Sequence, residues 1–167
     1  IKDIFNKVKK EAKVLQGEET KDKHYHNENT YPTEQEAAIL KAAAEEVDHL
    51  AWCRDRLTEL QSRPSLLNPL WYAGSFTLGA IASKAGRGRN LGFMAETEKQ
   101  VEQHLDRHLV DLPAADERSR KILTQMRDDE IAHRATAESN GAQRLAKPTQ
   151  WIMKGMSRIM TTTAYRI

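Results

Sequence analysis

The sequence predicts an all-α fold, on three observations. Strand signals are scarce: alternating β-branched runs and Asn-Gly hairpin turns are absent. The helix formers Ala, Leu, Glu, Gln, Lys and Arg dominate. Apolar residues recur at helical spacing between stops made by Pro and Gly. The 167 residues suit one domain, and 39% of them are hydrophobic, enough for a core, which argues against wholesale disorder. The formal charge is only +2, from 26 basic and 24 acidic residues, which argues against nucleic-acid binding driven by bulk charge. The single cysteine, Cys53, cannot form an internal disulfide and suits a reducing compartment. No secretory signal pattern is read at the N-terminus. No run of about 18 purely apolar residues suggests a membrane-spanning helix.

Residues 3–16 read as a short amphipathic helix, with Ile4, Val8, Val14 and Leu15 on one side. Residues 17–32 are polar and lack any apolar period, so they read as a loop or linker. His24 and His26 lie there, and a solvated pair is a plainer reading than a metal site. The next helix opens at Thr33, which follows Pro32 and precedes Glu36 by three, a capping box. It should run to about Ser62, where Pro64 stops it. Leu66 to Ala85 is apolar all round, with Gly74 and Gly79 inside it, and Gly86 to Asn90 reads as a polar loop. A further helix is expected from about Leu91 to Leu112, ending at Pro113. The next should span about Asp116 to Asn140, with Gly141 as its terminator. The last starts near Pro148, a good first helical residue, and continues towards Met160. The division expected is an atypical N-terminal helix and loop over 1–32 and a helical bundle over 33–167.

Two Glu-x-x-His motifs stand out, Glu46 to His49 and Glu130 to His133. Residues three apart lie on one helix face, so a carboxylate and an imidazole at this spacing can reach one metal. Position on the helix is a stronger argument than the count. On a wheel turning about 100° per residue, His49, Ile39, Ala43, Leu50, Cys53, Leu57 and Leu60 all fall within about 60° of Glu46. Glu130 and His133 fall beside Leu123, Met126 and Ala137. Glu98 and Glu102 fall in the stripe of Leu91, Met94, Val101, Leu105 and Leu109. Carboxylates aimed at a core must be paired or bind metal. The plain alternative is pairing with each other or with Arg127 and Arg134. Taken as a set, two Glu-x-x-His helices and a lone Glu on a third fit a ferritin-like four-helix bundle holding a di-iron carboxylate site, with additional apolar and amphipathic helices. Such a site asks for one more Glu on a fourth helix. Oxygen and imidazole donors without thiolate suit iron or manganese better than structural zinc. Cys53 reads as a small core residue rather than a ligand.

From about Glu45 onwards the chain resembles the demethoxyubiquinone hydroxylases, the di-iron monooxygenases of ubiquinone biosynthesis, mostly in their bacterial form. The stretches that carry the likeness are EEVDHLAWCRDRL, SRPSLLNPLWYAGSFTLGA, LGFMAETEKQVEQHLDRHL, RSRKILTQMRDDEIAH and MTTTAYRI. The resemblance implies metal ligation by Glu46, His49, Glu98, Glu130 and His133, with no catalytic residue beyond the ligands. His104 matches a histidine near the site in relatives, yet on the wheel it points away from Glu98 and is not counted a ligand. The family's first core helix carries a Gly-Glu-x-x-Ala motif that supplies a sixth ligand. Here Gln16 stands thirty residues before Glu46, where that Glu is expected. The fragment VLQGE is similar to sequence just after that motif. The sixth ligand is therefore Glu11 or Glu18 in unusual geometry, or it is missing.

The resemblance further implies two Fe ions per chain and O2-dependent hydroxylation of a demethoxyubiquinol ring. Electrons would come from a reduced nicotinamide or another external reductant. There is no Gly-x-Gly-x-x-Gly fingerprint for a built-in dinucleotide domain. Asp48 and Asp129 adjoin ligands in sequence but lie on another face; solvation is the plain reading, support of a ligand the other. A polyprenyl tail implies a membrane surface as partner. Leu66 to Ala85, with Trp71, Tyr72 and Phe76, and the last helix, with Trp151, Ile152, Met153, Met156, Ile159 and Met160 beside Lys154 and Arg158, could meet it. They could equally cap the core. The place implied is the cytoplasmic face of a bacterial inner membrane, or the matrix face of the inner membrane if mitochondrial. A homo-oligomer or a biosynthetic complex is a further expectation. The alternatives are a ferritin-like iron-binding protein and a non-catalytic quinone-binding scaffold with an incomplete metal site.

Overall fold

Helix formers between proline and glycine stops give helices. The computed structural model describes residues 34–164 and 166, which form five helices and, among the described residues, no strand. They are α1 (Glu34–Glu59), α2 (Asn68–Lys84), α3 (Arg87–Asp111), α4 (Glu117–Ser139) and α5 (Lys147–Ala164). The expected helix over 3–16, the loop with His24 and His26, and Glu11, Glu18 and Thr33 lie outside the described residues. The chain falls into two units, one ending at Ala51 and the other starting at Trp52, within α1.

In the first unit, α1 is an alanine-rich helix that buries Ala42 and His49. Leu50 is 54% exposed, although the wheel places it beside Glu46. The buried strip of this helix is displaced to the side of Ala42 and His49, away from Leu50.

In the second unit, α1 ends in a Schellman motif. Ser62 N–H donates to Leu57 O at 2.8 Å and Gln61 N–H to Thr58 O at 3.0 Å, with Gln61 left-handed at φ 52°. Leu60 lies past this end and is 53% exposed, which corrects its expected core position. Helix α4 ends the same way on Gly141, at φ 92°: Ala142 N–H donates to Ala137 O and Gly141 N–H to Glu138 O. Its start is capped by Asp116, whose carboxylate accepts from Ser119 N–H at 2.9 Å. Leu112, extended before Pro113, closes α3.

Helices α3 and α4 pack along their lengths, and α2 and α5 also touch α3. The expected loop over Gly86 to Asn90 is shorter than predicted. Ala85 and Gly86 make the break, with Gly86 at φ 92°, and α3 starts at Arg87. Gly88 and Gly92 lie within α3, and the loop after α4 runs close against both. Gln143 N–H donates to Gly88 O at 2.8 Å, and a Cβ on Gly92 would stand 1.9 Å from Gln143 O. Helix α5 begins one residue before Pro148 and continues past Met160 to Ala164. The α3–α4 connection is tied by Arg120, which donates to Leu109 O and Leu112 O, both at 3.0 Å, satisfying carbonyls at the end of α3.

Candidate metal centre

Glu130 and His133 sit one turn apart on α4, where i, i+3 spacing turns both side chains to one face. They are 2% and 4% exposed, an unusual depth for an ionisable pair. His133 Nδ1 lies 3.7 Å from Glu130 Oε2. That is too long for a hydrogen bond between them. It is within the span of about 4.2 Å that two donors on one ion can reach with bonds near 2.1 Å. Glu98, half-buried on α3, completes the group: ligand atoms of Glu98, Glu130 and His133 lie within 4.8 Å of one another. The structure thus brings three of the five expected ligands together in the second unit.

In the first unit, Glu46 and His49 repeat the pattern on α1. His49 is 3% exposed and its Nδ1 stands 3.7 Å from Glu46 Oε2. Glu46 itself is half exposed, which corrects the expectation that it points wholly into a core. It lies at the edge of the buried strip, on the side towards Leu50.

The donor set is carboxylate and imidazole. Cys53 does not add a thiolate: burial raises its thiol pKa, and Sγ contacts Met126 Sδ at 3.9 Å. Oxygen and nitrogen donors of this kind suit iron or manganese, so the residues present fit such an ion.

The surrounding charges sort into pairs. Glu102, one turn beyond Glu98, forms an ion pair with Arg134, the residue after His133. This realises the plain pairing alternative for Glu102, and it locks α3 to α4 beside the three donors. Arg127 turns instead to Asp128 at 2.8 Å and Asp106 at 3.7 Å. Asp48 is exposed, and Asp129 accepts from Gln125 Nε2 at 2.8 Å. His104 packs edge-on against His108, with Nε2 atoms 2.9 Å apart. Its pKa is lowered by burial first and by His108 and Arg107 next.

Sequence reasoning missed Arg56. Its guanidinium donates to Ser119 Oγ and Asp116 Oδ1, both at 2.8 Å, and to Glu59 Oε2 at 2.9 Å. It thereby holds the end of α1 to the start of α4. No spacing rule announces a contact between residues sixty positions apart.

The sequence matches the family described as "Ubiquinone biosynthesis protein COQ7" over residues 17–164. The chain belongs to this family. Its all-α fold class is the ferritin-like one expected of a COQ7 protein. It is similar to a 3-demethoxyubiquinol 3-hydroxylase of Bordetella petrii, 68% identical over 77% of this chain and 57% of the relative. The same description attaches to relatives in Bordetella avium, 68% identical over 77% of this chain and 60% of the relative, and Cupriavidus pinatubonensis, 64% identical over 75% and 61%. The chain thus spans about three fifths of the length of these curated relatives. No solved structure matches.

Proposed function

We propose that this COQ7-family chain hydroxylates the ring of a demethoxyubiquinol, using dioxygen and an external reductant such as a reduced nicotinamide. The observation that carries the reading is the buried group of Glu98, Glu130 and His133 in a chain up to 68% identical to 3-demethoxyubiquinol 3-hydroxylases. Glu46, His49, Glu98, Glu130 and His133 are proposed as the ligands of two iron ions. Bound iron would supply the activation of dioxygen and the electron transfer that side chains cannot. The protein's share is positioning. The Glu102–Arg134 pair fixes the α3–α4 register on which Glu98 and Glu130 depend. Burial of Glu130 and His133 keeps bulk water from the site, which strengthens every charge interaction there.

A polyprenyl tail needs an apolar surface. Leu70, Tyr72, Phe76 and Ile81 of α2 are each at least 60% exposed, and α5 exposes Trp151, Ile152 and Ile159 beside Lys154 and Arg158. No helix among the described residues is long and apolar enough to cross a membrane. The proposed contact is therefore peripheral, with apolar residues in the interface and cations against anionic headgroups. The face proposed is the cytoplasmic one of a bacterial inner membrane.

The test is iron stoichiometry after anaerobic loading with ferrous iron, followed by turnover of a short-chain demethoxyubiquinol. About two irons per chain, lost in Glu130→Ala, together with hydroxylated product, is expected. Iron without product would favour an iron-binding protein. One iron or none would mean a scaffold with an incomplete site.

A further inference from the structure

Among the described residues, the Glu-x-x-His motifs leave one histidine pair unused. His104 and His108 stand one turn apart on α3, with rings at 81° and Nε2 atoms 2.9 Å apart. We infer that these two imidazoles form a second metal site, a bidentate chelate on α3 for a divalent cation of square-planar or octahedral preference, such as Ni2+ or Cu2+.

The geometry is the argument. With metal–nitrogen bonds near 2.1 Å, a 2.9 Å separation corresponds to an angle of about 87° at the metal. That suits two adjacent positions of a square-planar or octahedral shell, not the wider angle of a tetrahedral one. Histidines at i, i+4 on one helix are a spacing at which two imidazoles reach one cation. His104 is half-buried, and its burial favours the neutral ring that a metal needs. His108 is exposed, so water can complete the shell.

The present contacts show what binding would change. Arg107 Nη2 donates to His104 Nδ1 at 3.3 Å, which places the ring proton on Nε2, between the two rings. Chelation moves that proton to Nδ1 and releases Arg107, an exposed side chain that can turn to solvent. The site is separate from the carboxylate group. His104 follows Glu98 by six residues, about 9 Å along the helix axis, and neither ring belongs to that group.

Ni2+ is the probe, because it is redox-inert under these conditions. It would be titrated calorimetrically into the full chain, and into His108→Ala, His108→Asn, His24→Ala/His26→Ala and Glu130→Ala variants. Both His108 variants should bind one Ni2+ fewer than the parent, with helicity unchanged. The His24/His26 and Glu130 variants should keep that ion. Ni2+ should also raise the melting temperature of the parent by more than that of the His108 variants, since it staples one turn of α3. Undiminished binding in the His108 variants, loss of the ion in either of the other two, or no binding to the parent would overturn the proposal.

Discussion

Glu102 and Arg134 join α3 to α4 by an ion pair one turn along from Glu98 and adjacent to His133. Their side chains are only 19% and 26% exposed. Removing one partner leaves the other charge partly desolvated. Arg134→Ala should therefore cost about 1–3 kcal/mol of folding stability. Chemical denaturation would read this, and a loss below a few tenths of a kcal/mol would count against the pair. Because the register of α3 on α4 also sets Glu98 against Glu130, iron retention should fall in the same variant.

Two glycines of neighbouring helices should respond in opposite senses. At Gly92 an added Cβ would meet Gln143 O at 1.9 Å, a backbone atom that cannot swing aside. Gly92→Ala should destabilise the protein by about 1–3 kcal/mol. At Gly74, inside α2, nothing lies within 4 Å of an added Cβ. Gly74→Ala should be neutral or stabilise by up to about 1 kcal/mol, since alanine is the better helix former. Thermal melts of the two variants make the comparison directly.

Asp116 carries a pH dependence with a definite sign. Its carboxyl is held below the usual range, first by the backbone N–H and hydroxyl of Ser119, then by Arg56. A depressed pKa means the ionised form favours the fold. Its contribution is in full force above the unfolded value of about 3.9 and is lost as pH falls through the lower folded value. The stability difference between the parent and Asp116→Ala should thus be constant near neutrality and shrink in that acid window. Urea titrations across it would show the convergence, and parallel curves would refute the assignment.

Cys53 offers a probe of folding. Burial raises its pKa, so the thiolate fraction at mildly alkaline pH is smaller than for a free thiol. Alkylation should be slow in the native chain and accelerate on unfolding. As the chain has one cysteine, the reagent reports one position. Equal rates in the folded and denatured states would disprove the burial.

Helix ends were legible where a residue type allows one conformation. Pro113 and Gly141 each mark a stop within a residue or two of the observed ends. The Glu98, Glu130 and His133 group was legible because helical spacing fixes which residues share a face. What escaped was tertiary. Gly88 has the composition of a loop, yet it lies in the first turn of α3 with Gln143 close against it. Leu50 and Glu46 sit in the apolar stripe yet are exposed, because the buried strip runs to one side of it, through Ala42 and His49. Arg134 was one of two cations near the stripe, and only the register of α3 on α4 assigns it to Glu102.

The tie made by Arg120 has a kinetic corollary. Glu98, Glu130 and His133 all lie on the two arms of one helical hairpin, joined by the short Leu112–Asp116 connection that Arg120 clasps. Contacts between neighbours in sequence close quickly, because little chain entropy is lost in forming the loop. The hairpin that gathers these donors is thus the part of the molecule whose assembly asks least of the remaining chain. Pulse-labelled hydrogen exchange would register it as early protection of α3 and α4.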